Sequence, residues 1–110
     1  LREGYNLTPE TDQLQDADTY IRKLRTILPV LQKKYPISYL GIFGSYIRDE
    51  QTPDSDLDLL VEFDKPIGLL DYARLEIEIS DSLGIKADLV SRTALKPGIG
   101  KHILSEVVQI

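Results

Sequence analysis

The chain has no cysteine. That excludes disulfides and cysteine-based zinc centres, and it fits a reducing, cytoplasmic setting. It also lacks an excess of positive charge: 13 Lys and Arg stand against 18 Asp and Glu, for a net charge of −5. Non-specific binding to nucleic acid phosphates needs a basic surface, so direct contact with DNA or RNA is disfavoured. No apolar run approaches the roughly 20 residues that span a bilayer, so no membrane partner is expected. Residues 1–6 lack a signal-peptide pattern. There is no internal repeat, low-complexity tract or linker, and the single histidine, His102, lies far in sequence from the acids discussed below.

What remains is an ordinary globular composition. With 110 residues and 42% apolar content, the chain can build one domain around one modest core. Residues 1–17 read as an N-terminal extension and residues 18–110 as the domain. A three-and-four spacing of Leu14, Ala17, Ile21, Leu24, Leu28 and Leu31 predicts a helix, capped by Asp12, Asp16 or Asp18. Pro29 is expected to break or kink it, with a further short turn through Lys33 and Lys34. Strands are predicted at Ile37–Phe43, Leu57–Phe63 and residues 86–91. A helix is predicted over Leu69–Leu83, closed by Gly84, and a last helix follows the Pro97-Gly98 break, carrying Ile99, Ile103, Leu104 and Val107. The alternation predicts an α/β (α+β) layer: a small sheet flanked by helices.

The chemistry concentrates in residues 44–61. Asp56 and Asp58 stand two apart at the start of a strand, which puts both carboxylates on one face. Like charges so placed repel. A divalent cation resolves the conflict, because Mg²⁺ takes hard oxygen ligands. Asp88 is the sole acid of another apolar strand. If that strand lies beside the first, three carboxylates converge and can hold two metal ions astride a phosphoryl group. Gly44-Ser45 follows a strand, so backbone N–H groups and a hydroxyl can face phosphate oxygens, and Arg48 stands one turn later as a charged fork. Each piece alone has a plain structural reading: a turn, a helix cap, a strand-end charge, a surface arginine. In combination and in this order they are far more specific.

The pattern Gly-Ser-x-x-Arg…Ser-Asp-x-Asp-Leu, with a later strand Asp, resembles the minimal nucleotidyltransferases of the DNA polymerase beta-like superfamily. The similarity extends to Leu40-Gly-Ile-Phe-Gly-Ser-Tyr, Leu60-Val-Glu-Phe, Lys86-Ala-Asp-Leu-Val and Ala94-Leu-Lys-Pro, and covers roughly residues 18–108. The resemblance implies a nucleotidyltransferase fold with a small mixed sheet. It implies that Gly44, Ser45 and Arg48 bind the nucleotide phosphates, and that Asp56, Asp58 and Asp88 form the catalytic metal-binding set. Asp88 would also take the acceptor hydroxyl's proton. Two positions depart from the family pattern, which often reads Ala-Arg-Gly: Ile47 and Asp49 flank Arg48. Ile47 is expected to pack inward. Asp49 is expected to weaken NTP binding or to position a metal's water.

The resemblance further implies Mg²⁺, two ions, as cofactor and an NTP, first of all ATP, as substrate. Small members are often encoded beside a HEPN-type helical protein and act as antitoxins that transfer AMP to a tyrosine of that toxin. A homo- or hetero-oligomer is compatible with that role. The alternative is a non-catalytic module that neutralises its partner by complex formation. Transfer to a small molecule such as an aminoglycoside is disfavoured, because such enzymes usually carry an extra substrate domain.

Overall fold

The computed structural model describes residues 16–110. The proposed extension and the candidate cap Asp12 therefore lie outside the described residues, except that Asp16 and Ala17 are seen. Helix α1 runs over Ala17–Lys34, and Asp16 caps it by accepting a hydrogen bond from the Thr19 N–H at 3.0 Å. Pro29 does not interrupt it. An internal proline costs about 3 kcal/mol. Leu24 and Leu31, on either side of it, are both fully buried, and each such side chain contributes about 1.5–3 kcal/mol. The packing of both halves on one core outweighs the local defect.

Strands β1 (Ile37–Phe43) and β2 (Leu57–Phe63), helix α2 (Leu69–Leu83) and strand β3 (Ala87–Ser91) follow. Gly84 closes α2 in the left-handed conformation at φ 70. A short 3₁₀ turn at Arg92–Ala94 leads to α3 (Pro97–Glu106), which Pro97 opens rather than breaks, since an N-terminal proline gives up no helical hydrogen bond. The chain then adds a strand that the periodicity does not predict, β4 (Val108–Gln109). Val107, expected on the last helix, is instead its C-cap.

The four strands form one mixed sheet in the order β3-β2-β1-β4. β1 is antiparallel to β2 and to β4, and β2 is parallel to β3. One face of the sheet, with Leu40, Ile42, Leu57, Leu59, Val61, Ala87 and Leu89, packs against α1 and α2. On the other face Phe43 and Leu60 pack against Ile103 of α3. β4 reaches β1 because Gly41 has no side chain: a Cβ there would stand 2.6 Å from Val107 Cγ2. Arg25 of α1 donates to the carbonyls of Gln109 and Ile110 and ties the last residues down.

The outer edge of β3 is met by side chains of α2. Tyr72 donates its hydroxyl to the Leu89 carbonyl at 2.7 Å, and Glu76 accepts from the Leu89 N–H at 2.9 Å. Ser80 accepts from the Ala87 N–H at 2.9 Å. Positions 72, 76 and 80 share one helix face, so a single row of side chains serves the edge. Among the described residues no helix is long and apolar enough to cross a membrane.

Candidate active site

Side-chain alternation along β2 sends Leu57, Leu59 and Val61 into the helix-covered core and leaves Asp58 on the α3 face. Parallel pairing then puts Asp88 of β3 opposite Asp58. The two carboxylates are neighbours although they stand thirty positions apart in the chain, by register alone. Asp56 sits just before β2. Burial pushes the Asp58 carboxyl above the usual carboxylate range, and the negative charges of Asp88 and then Asp56 push it further; Arg48 acts in the opposite sense. Asp88 and Asp56 are therefore both close enough to Asp58 to act on it electrostatically. Among the described residues no three such side chains are already gathered around one point, and Asp56 forms an ion pair with Lys86 at 3.4 Å. Mutual repulsion among hard oxygen donors, with Asp58 half-buried, is the situation that a divalent cation relieves, and the donor set fits Mg²⁺.

Gly44 ends β1 at φ 86, a left-handed conformation that suits glycine. Phe43 pairs with Asp58 across the β1–β2 ladder, so the chain at Gly44 runs directly over the carboxylate. A Cβ on Gly44 would collide with Asp58 Oδ2. The glycine is thus required twice, by its dihedral and by the carboxylate beneath it. The following turn is closed by hydrogen bonds from the Ile47 and Arg48 N–H groups to the Gly44 carbonyl. Tyr46 is buried and meets the Tyr20 ring edge to face at 5.3 Å, and Ile47 packs against the same core. These two inward anchors leave Ser45 and Arg48 accessible. Ile47 packs inward as expected.

Asp49, the second departure from the family pattern, has φ 57. Aspartate is one of the few non-glycine residues that tolerates this region. This backbone conformation is one that glycine adopts without strain, so it accommodates the glycine of the pattern that the sequence resembles. The Ser55 of Asp-Ser-Asp is structural: its hydroxyl accepts from the Thr52 N–H at 2.9 Å and holds the loop that delivers Asp56.

Two acids that sequence reasoning missed complete the site. Glu106, the last residue of α3, accepts from the Gly44 N–H at 2.7 Å and from Arg48 Nη1 at 3.0 and 3.2 Å. Glu76 fixes the Leu89 amide next to Asp88. No local pattern marks either one, since each serves a backbone amide distant in sequence. His102 is exposed, with Nε2 3.7 Å from Glu106. A cavity of about 300 Å³ lined by Glu62, Phe63, Asp64, Lys65, Pro66, Ser91 and Thr93 lies toward the other end of β2 and contains none of the predicted site residues.

Residues 24–110 match the nucleotidyltransferase domain family. Over 80 residues the chain is 41% identical to the protein adenylyltransferase MntA of Thermococcus cleftensis, covering 73% of this chain and 81% of that protein. It is 44% identical over 88 residues to the MJ0128 protein of Methanocaldococcus jannaschii, covering 79% and 90%. A solved structure assigned to the minimal nucleotidyltransferases superposes with a TM-score of 0.75 at 34% identity, covering 87% of this chain and 97% of that one. At 18% identity, where the likeness concerns the fold alone, a chain from a Shewanella oneidensis complex of an MNT antitoxin with a tri-AMPylated HEPN toxin superposes at 0.62, covering 82% and 70%. By the match over residues 24–110, the identity to the curated protein adenylyltransferase and the superposition on the solved minimal nucleotidyltransferase, the chain belongs to the nucleotidyltransferase domain family, in its minimal, MntA-like branch of protein adenylyltransferases.

Proposed function

We propose that this chain transfers AMP from ATP to a tyrosine hydroxyl of a HEPN-type helical partner and thereby acts as its antitoxin. The observation that carries the reading is the Asp58–Asp88 register beneath the Gly44 turn: groups suited to a cation and groups suited to phosphate share one surface. The MntA-like relatives support protein as the acceptor. The fold shared with an antitoxin solved beside a tri-AMPylated HEPN toxin supports the partner.

In this reading Ser45 and the turn's free N–H groups bind phosphate oxygens, and Arg48 adds a charged fork. Asp56, Asp58 and Asp88 hold Mg²⁺, two ions, which when bound neutralise charge on the phosphates. The acceptor oxygen attacks the α-phosphorus in line, the bond to the bridging β-phosphate oxygen breaks, and pyrophosphate leaves. The hydroxyl proton passes to the Asp88 carboxylate. Catalysis is largely positioning and charge stabilisation.

The test is transfer of label from α-labelled ATP, with Mg²⁺, to the neighbour-encoded helical protein, beside the Asp56→Ala/Asp58→Ala double variant. Label on a partner tyrosine that disappears with the variant supports the reading. A stable complex that neutralises the partner without label, from any of the four NTPs, would replace it with the non-catalytic binding module.

A further inference from the structure

Glu106 is hard to account for as a surface residue. Its side chain is 14% exposed. Its carboxylate bonds to the Gly44 N–H and, through both oxygens, to Arg48 Nη1. It therefore links the two ends of the turn assigned to the nucleotide phosphates. The backbone that carries it is held on both sides. Upstream, Ile103 packs with Phe43 and Leu60. Downstream, Val108 pairs with Ile42, and the Ile110 N–H donates to the Leu40 carbonyl at 2.8 Å.

We infer that Glu106 is a positioning residue that sets Arg48 and the Gly44 turn in the geometry needed to receive the phosphates of ATP. This rests on the role proposed above for Arg48. Arg48 is oriented from two sides: Nη1 is taken by Glu106, and Nε donates to Glu50 at 3.0 Å. Among the described residues Nη2 carries no hydrogen bond, which leaves that edge of the guanidinium for a phosphate oxygen. A guanidinium held in its working orientation loses less freedom on binding than a free one.

The competing view is that the carboxylate fills the phosphate position and is expelled by ATP. The geometry argues against it. Expulsion would leave a largely buried carboxylate without its three bonds, beside an incoming polyanion, and a buried charged group stripped of its partners is costly.

The experiment is a double-mutant cycle on Mg-ATP affinity, read by calorimetric titration of the isolated chain, with a melting curve for every variant. Glu106→Gln keeps shape, but its NH₂ cannot accept from Arg48. It is expected to weaken Mg-ATP binding about tenfold, the scale of one charge-assisted hydrogen bond. Arg48→Ala is expected to weaken it at least as much, and the double variant to be no weaker than Arg48→Ala alone. Glu106→Asp, which keeps the charge but sets it back by one carbon, is expected to fall between wild type and Glu106→Gln; it carries the same cycle if Glu106→Gln does not fold. Unchanged or tighter binding by Glu106→Gln, while Arg48→Ala binds weakly, overturns the inference alone. So does a double variant whose loss is the product of the two single losses. Unchanged affinity in Arg48→Ala overturns the phosphate role of Arg48 and the inference with it.

Discussion

Gly44 and Gly84 form a matched pair for testing why a glycine precedes the serine. Both have positive φ, 86 and 70. An alanine at either position adopts a left-handed backbone at a cost of about 1–2 kcal/mol. For a domain of this size that lowers the melting temperature by roughly 5–15 °C. There the likeness ends. A Cβ at Gly84 meets nothing within 4 Å, whereas a Cβ at Gly44 runs into Asp58 Oδ2. Gly84→Ala is thus expected to show the melting shift with Mg²⁺-dependent AMP transfer retained within about threefold. Gly44→Ala is expected to melt at least as far below wild type and to lose about 100-fold or more in transfer, because a misplacement on the order of 1 Å at a reacting centre costs about that much. The assay is label transfer from α-labelled ATP beside thermal unfolding followed by circular dichroism. If the two variants lose activity equally, the contact between Gly44 and Asp58 has no part in catalysis and the reasoning fails.

Three further outcomes follow from other residues. Asp49→Gly relieves the left-handed φ and should raise stability by roughly 0.5–1 kcal/mol in denaturant titrations, with AMP transfer equal to wild type or higher as one negative charge leaves the phosphate side; a loss of transfer would instead give the Asp49 carboxylate a direct role, such as positioning a metal's water. Burial and the charges of Asp88 and Asp56 raise the Asp58 carboxyl in the folded state, so its ionisation opposes folding: stability is highest below the unfolded carboxylate range and falls as pH rises through the folded value. Asp58→Asn should therefore unfold at a higher temperature than wild type at pH 7 without metal, the gap should close toward pH 3, and added Mg²⁺ should stabilise wild type but not the variant. Glu76→Ala strands the Leu89 N–H and should cost about 1–3 kcal/mol by urea unfolding, while Glu76→Gln, which keeps an acceptor oxygen, should lose less than half as much.

Much of this architecture was legible because its signals are local. β1, β2 and α2 occupy the residues that apolar alternation and helical spacing predict, and Gly84 closes α2 as a C-cap glycine. Pro29 misleads because a local rule meets a tertiary one: the proline breaks a helix unless buried leucines on both sides hold it. β4 escapes because two residues cannot display a period, and its partner Gly41 is legible only as the absence of a side chain. The same division runs through the site. Asp56 and Asp58 declare themselves by spacing, and Gly44-Ser45 by its place after a strand. The adjacency of Asp58 and Asp88 is a matter of register between strands separated by a whole helix. Glu106 and Glu76 act on backbone amides 62 and 13 residues away, a relation that no reading of neighbours along the chain contains.

The row formed by Tyr72, Glu76 and Ser80 has a consequence for how this sheet meets other molecules. An extended peptide approaching β3 needs free amides and carbonyls to continue the ladder. At Leu89 both are already engaged, and at Ala87 the amide is engaged too. The sheet is stoppered on the side nearest Asp88, so neither a second copy nor a stray unfolded segment finds a template there. A molecule that approaches the carboxylates from this side therefore meets side chains of α2 and cannot be added to β3 as a further strand at these positions.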